Sequence, residues 1–393
     1  MSLLRHKEKP RFKALDALRG IAALIVVFTH LSNGLSVQTY IHKTLFLLIS
    51  GHSAVVFFFV LSGFVLVYQY GDNENYSYKK FLIQRICRIY VPFIGAIILS
   101  WILMASSHPH ISTPWISFAW NFPVTFSDFI QHLFMIGDYN TNLFDGAIWS
   151  LVHEMRVSVL FPLLLLLLNK PKLKAFLICL ALLCISCIAI TNLWFTGRGY
   201  LNGYSYTLYY AYMFVAGGAI AKYRADISAW YGKLSSRRIF GYLITALLLY
   251  NYADPASTWF AYHLKGTSTM KQNIAMVLGE GVTTMASCYI IIAALHLSQN
   301  SWLNARVPQF LGKISYSLYL VHIPVIGFLY CTLINRLSLG IILCLGFLSS
   351  LLIAWLFNKY VERPSASFAK RFKKNQPKNS PLGAARQQPD RPL

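Results

Sequence analysis

The chain has 393 residues, of which 56% are hydrophobic and 12% charged, with a mean hydropathy of +0.50. A soluble domain carries about twice that share of charge, so this composition excludes a soluble globular protein. The net charge of +22 would suit a nucleic-acid binder, but the basic residues lie between apolar runs instead of in one patch, which argues against nucleic acid.

The apolar runs predict an all-α, polytopic membrane helical bundle of about ten spans, near 15–37, 50–70, 90–107, 147–168, 173–193, 205–221, 239–253, 274–297, 314–334 and 338–358. With the N-terminus cytoplasmic, most Lys and Arg fall on the inner side, as the positive-inside rule requires, so both termini are expected there. The basic excess then encodes topology and contact with anionic membrane lipids. Three parts are expected: a basic cytoplasmic segment 1–14, a transmembrane domain 15–364, and a basic, disordered tail 365–393. The stretch Arg5 to Lys13 leads straight into a span and reads as an anchor, not a cleaved signal. The seven cysteines are odd in number and mostly inside spans, and Cys184-Ile-Ser-Cys187 has no βαβ context, so they read as small buried thiols.

Span one carries Arg19 and His30, eleven positions apart on an otherwise apolar segment. That spacing is close to three helical turns, roughly 16 Å, and puts both side chains on one face. An ionisable group past the middle of a bilayer is costly, and so reads as a functional site. Gly20, Ala23 and Val27 lie between the two and leave an open lane for a thin chain. In span two, Ser62 and Gly63 are small enough to let helices approach closely. Arg85 and Arg88 follow, three apart and so expected on one helix face, with guanidinium groups suited to phosphate.

The segment from Ser106 to Ala147 has no Lys or Arg and many aromatic residues, as expected of an outer loop at the membrane interface. Its His108-Pro109-His110 reads as a surface turn. Span four opens with Trp149 and Ser150, and Ser150 is a plausible N-cap for the helix that carries Glu154 and Arg156. A carboxylate at that depth needs a proton or a cation. His153-Glu154 begins like a zinc-protease motif, but Val157 stands where the second histidine is required, so no metal is expected. Glu280 in span eight has no evident local partner. In span nine, Ser315, Tyr319 and His322 fall at i, i+4 and i+7, a polar stripe that must face the bundle interior.

Six motifs occur in order along this chain: Arg19 with ten residues before His30; Phe57-Phe58-x-x-x-Ser62-Gly63-Phe64; Arg85-x-x-Arg88-Ile89-Tyr90; Trp149-Ser150-Leu151-x-x-Glu154; Gly312-x-x-Ser315-Tyr316-x-x-Tyr319-x-x-His322; and Glu362-Arg363-Pro364. Together they resemble acyltransferase family 3, integral membrane proteins that O-acylate glycans and other extracytoplasmic acceptors. The resemblance implies that Arg19 and His30 are the pair needed for activity, that Arg85 and Arg88 are a second basic motif, and that Glu154 is the span-four carboxylate. It also implies acyl-CoA, acetyl-CoA first, as co-substrate, a glycan or other hydroxyl acceptor, and a multi-pass place in a bacterial cytoplasmic (inner) membrane.

The residues themselves fit such chemistry. Arg19, Arg85 and Arg88 would grip the phosphates of cytoplasmic acyl-CoA. The Arg19–His30 separation is of the order of a pantetheine arm's reach. His30 would act as general base or acyl relay, with Glu154 orienting it or balancing the imidazolium. Ser62, Trp149, Ser150, Arg156, Ser315, Tyr316, Tyr319, His322 and Glu362 would supply substrate contacts and support. The rival reading is a transporter or flippase for a lipid-linked glycan, whose intramembrane ionisable residues would form a proton relay. Paired broken helices in an inverted repeat would mark it, and none is evident.

Overall fold

A computed structural model describes residues 11–32, 50–71, 77–107, 120, 124–195, 203–298 and 301–374, and among these the chain is helix and turn with no strand. The helices are α1 (Lys13–Ser32), α2 (Gly51–Tyr70), α3 (Tyr78–Ser107), α4 (Phe126–Leu133), α5 (Trp149–Val159), α6 (Phe161–Leu168) and α7 (Lys172–Phe195). They continue as α8 (Tyr204–Lys222), α9 (Arg224–Tyr231), α10 (Ser236–Tyr262), α11 (Ser268–Leu295), α12 (Arg306–Leu333), α13 (Leu339–Phe357) and α14 (Arg363–Lys374). Each of the ten expected spans falls on helix. Among the described residues, seven helical segments are long and apolar enough to cross a membrane, or eight if the bent pair α5–α6 is one span. The other two expected spans are the more polar α8 and α10, of 19 and 27 residues.

The α5–α6 bend of 66° has a local cause. Pro162 has no N–H to give and its ring collides with the carbonyl four residues back, so the ladder cannot run through Leu160. Two further irregularities matter for the site. Ile86–Tyr90 within α3 and Asn358–Glu362 after α13 are π-helical turns. A wider turn of this kind re-aims the side chains that follow it, and such turns are frequent at functional sites.

In a membrane, helices associate through close packing and polar contacts, not through the hydrophobic effect. Two glycine contacts therefore organise the bundle. A side chain on Gly20 of α1 would start 2.6 Å from the Leu311 carbonyl carbon of α12, and one on Gly312 equally close to that of Asp16. Across the bundle, a Cβ on Gly63 of α2 would lie 2.6 Å from Phe214 Cα of α8, and one on Gly217 of α8 would strike the Val60 carbonyl. Helix α12 sits centrally, packed on α1, α3 and α13, while α10 and α11 form a hairpin joined to the rest through α11 and α2.

The described part of the expected outer loop does not lie flat on the surface. It folds back into the bundle: Phe129 packs on Trp101 with ring centres 4.1 Å apart, and the Leu133 carbonyl accepts from the Tyr90 hydroxyl at 2.7 Å. His108-Pro109-His110, the first ten residues and the tail from 375 lie outside the described residues. The thiols depart from expectation too: Cys87 is buried, but Cys184 and Cys344 are exposed on helix surfaces, where lipid would cover them.

Candidate active site

The polar stripe of α12 faces inward, as its periodicity predicts, and each member is taken by a different neighbour. Ser315 accepts from Arg19 Nε at 2.9 Å, and the Gly312 carbonyl accepts from the same guanidinium at 2.9 Å. Asp16 stands 3.6 Å from that group. One turn on, the Tyr319 hydroxyl meets Ser150 Oγ at 2.7 Å and donates to the Ala147 carbonyl at 2.8 Å. A further turn on, His322 Nε2 lies 2.9 Å from His30 Nδ1. Arg19 and His30 are thus both held by α12, at two levels of one contact.

The partners fix the tautomers of the histidine pair. His322 Nδ1 lies 3.1 and 2.9 Å from the Leu318 and Tyr319 carbonyls, which only accept, so that nitrogen carries the proton. In the neutral pair His322 Nε2 is then the acceptor and His30 Nδ1 the donor. The lone pair of the His30 ring is therefore on Nε2.

Beside this stripe is a cavity of about 100 Å³, measured as room for the centres of water molecules, enough for several waters. It is lined by α2, α3, α5 and α12, and Arg19, Arg85, Arg88 and Glu362 converge on it with Ser62, Glu154, Ser315 and Tyr316. It ends against Phe58, Ser150 and Tyr319, and His30 and His322 lie one turn beyond that end.

The π-turn of α3 separates the two arginines that α-helical spacing would put on one face. Arg85 is buried and its guanidinium pairs with Glu154 at 2.7 Å while Nε donates to Ser158 at 3.0 Å. Arg88 is exposed and has no carboxylate within ion-pair distance among the described residues. Tyr316 donates at 2.9 Å to the Ile89 carbonyl, inside the same widened turn. Glu362, at the end of the second π-turn, accepts from Ser317 at 2.5 Å and from Asn358 at 2.7 Å.

Several expectations are corrected. Glu154 does not pair with His30: its carboxylate is taken by Arg85 and by the Ser62 hydroxyl at 3.2 Å. Arg156, two residues on and expected to support the site, takes no part in that pair. It points to the other side of α5, stacks on Tyr204 with 4.2 Å to the ring centre, and donates to the Ile136 and Gly137 carbonyls at 3.0 and 2.7 Å. Ser150 is not an N-cap, since Ile148 occupies that position and Asp145 already accepts the Ala147 N–H at 2.9 Å. The lane along Gly20, Ala23 and Val27 is closed, because Ala23 and Val27 are fully buried and α12 fills the face. Trp149 is buried among Phe59, His153 and Tyr210, and so shapes the wall without reaching the cavity lining.

Residues 12–359 match the family model described as an acyltransferase domain. The chain belongs to acyltransferase family 3. The acyltransferase is an integral, multi-pass membrane protein; the first five motifs lie inside the matched region, and Glu362-Arg363-Pro364 lies just past its end. No curated protein and no solved structure matches the chain.

Sequence reasoning missed two groups of the acyltransferase. His52, at the start of α2, bonds through Nε2 to Glu280 Oε1 of α11 at 2.5 Å, which gives Glu280 the partner its own span lacks. Asp145, before α5, is fully buried with Oδ2 unpartnered among the described residues, and burial pushes its carboxyl up to about 8. Nothing in the local pattern around either residue points to these positions.

Proposed function

We propose that this protein moves an acyl group, acetyl in the first instance, from cytoplasmic acyl-CoA to a hydroxyl of an extracytoplasmic or lipid-linked glycan. The observation that carries the reading is the convergence of Arg19, Arg85 and Arg88, from two helices, on one cavity whose opposite end stops a turn short of the His30–His322 pair. Positive charge at one end suits the phosphates of a nucleotide thioester. The long pantetheine arm then directs the acyl group along the cavity, past Ser62 and Tyr316, toward Tyr319.

Tyr319 stands between the cavity and the histidines, so its bonds to Ser150 and Ala147 must give way for the thioester carbonyl to meet His30. There His30 Nε2 acts as general base or as acyl relay. Tyr319 and Ser150 carry the hydroxyls that would position the carbonyl, while His322 holds the His30 ring. Arg85 is neutralised by Glu154, which leaves Arg88 as the cation with charge to spare for a phosphate, beside Arg19, whose carboxylate partner Asp16 is shared with Arg11. The basic end faces the cytoplasm on the positive-inside rule, so the acceptor approaches from the other side, in the inner membrane of a bacterial cell.

The test uses purified protein in lipid nanodiscs with radiolabelled acetyl-CoA, comparing the parent with His30→Ala. Slow release of free CoA by the parent and not by the variant is expected. Failure of either protein to bind acetyl-CoA at all would sink the donor assignment and favour transport of a lipid-linked glycan.

A further inference from the structure

The His52–Glu280 pair lies outside the cavity and has no part in the chemistry described so far. Its geometry is that of an oriented base. The Nε2–H is directed to Glu280 Oε1 at 2.5 Å, which puts the lone pair of the neutral ring on Nδ1. The His52 side chain is 39% exposed and Glu280 4%, so the imidazole is accessible and the carboxylate is shut away behind it. Glu280 Oε2 is buried with no well-formed hydrogen bond among the described residues, and the Tyr209 hydroxyl faces the same carboxylate. A buried carboxylate with so few partners interacts strongly with the imidazole it touches. Asp254 of α10 adds negative charge near the same ring.

The position is as telling as the pair. Gly51, next to His52, packs on Thr29, next to His30, and a Cβ there would lie 2.9 Å from Thr29 Cβ. The His52 ring also stacks on Trp149, 6.3 Å between centres, directly before Ser150. Two imidazoles therefore sit at one level of the bundle, at the end away from the arginines. One is backed by a carboxylate and the other by a second histidine.

We infer that His52, held by Glu280, is the base that takes the proton of the acceptor hydroxyl, which leaves His30 as the acyl relay. This rests on the acyl-transfer reading above. In the first step His30 Nε2 attacks the thioester: a C–N bond forms, the C–S bond breaks, the acylated ring takes the positive charge, and CoA leaves as the thiolate, which takes up a proton from the cytoplasmic buffer at the basic mouth. In the second, the acceptor oxygen attacks the acyl carbon while its proton passes to His52 Nδ1. The C–O bond forms, the C–N bond breaks, and the electron pair returns to His30. His52 then gives its proton to water on the far side.

The experiment compares two nucleophiles on acetyl-CoA in nanodiscs: water, which must lose a proton to be effective, and neutral hydroxylamine, which attacks without help from a base. His52→Gln keeps a donor to Glu280 but cannot accept the proton. CoA release with water is expected to fall about 100-fold, with hydroxylamine restoring the parent rate and acetyl-CoA binding unchanged. Glu280→Gln should show the same rescue with a smaller loss, about 10-fold. A variant slow with both nucleophiles, or slow with neither, overturns the role of His52 alone. A parent that binds acetyl-CoA but releases CoA with neither nucleophile overturns the acyl-transfer reading, and this inference with it.

Discussion

His30 Nδ1 and His322 Nε2 share a hydrogen bond of 2.9 Å between α1 and α12, and this bond puts the lone pair of the neutral His30 ring on Nε2. Loss of His322 removes one of the contacts that hold the His30 ring and leaves the Val26 backbone to hold it alone on that side. His322→Ala is therefore expected to lower CoA release about 100-fold or more, as is expected of His30→Ala, with little further loss in the double variant. Losses that multiply would show that the two rings do not act as a unit.

Breaking the Arg85–Glu154 pair strands a carboxylate inside the bundle. Arg85→Ala is expected to cost roughly 2–4 kcal/mol, below the fully buried case because Glu154 borders a wet cavity. Glu154→Gln added to Arg85→Ala should recover part of it. Melting midpoints in one detergent measure both, and equal midpoints for parent and Arg85→Ala would rule out a structural role for the pair.

Arg88 has charge without an ion-pair partner among the described residues and lines the cavity. Arg88→Ala should raise the KM for acetyl-CoA about 10-fold, with kcat near the parent value and the salt dependence of KM reduced. A fall in kcat with KM unchanged would remove Arg88 from donor binding.

Glycine contacts predict a contrast within one fold. Gly63→Ala drives a methyl into the Phe214 backbone and should lower the melting midpoint markedly, whereas Gly241 and Gly281 have nothing within 4 Å of a new Cβ. Gly241→Ala and Gly281→Ala should be neutral or stabilise by about 0.5–1 kcal/mol, since both lie in helices. Equal effects at all three positions would contradict the α2–α8 contact.

Asp145 gives a pH dependence with a definite sign. Burial raises its carboxyl to about 8 from an ordinary value near 4, so the folded state holds the proton that the unfolded chain gives up. Its contribution is complete below about pH 4, declines as pH rises, and is gone above about pH 8. The midpoint of the parent should fall between pH 5 and 8 relative to that of Asp145→Asn, and parallel curves would refute the assignment.

The helices and the inward stripe of α12 were legible because periodicity reports burial directly: Ser315, Tyr319 and His322 had to turn inward wherever their partners stood. Which partners they met was not legible. Glu154 went to Arg85, while Arg88 lies inside the widened Ile86–Tyr90 turn and stays exposed, and no residue type marks a π-turn in advance. The lane beside Gly20 was misread for a related reason. Small residues leave space on an isolated helix, but in a bundle they mark where another backbone fills it, here that of Gly312. His52 and Glu280 are 228 positions apart, and a contact of that range has no local trace.

Tyr319, tied to Ser150 and to the Ala147 carbonyl, closes the cavity short of the histidines. On the acyl-transfer reading, a cavity open through to the histidines would be a pore through which protons could run down a membrane gradient. The phenol and its two hydrogen bonds stand across that route, so the resting protein keeps its basic mouth apart from the histidine end.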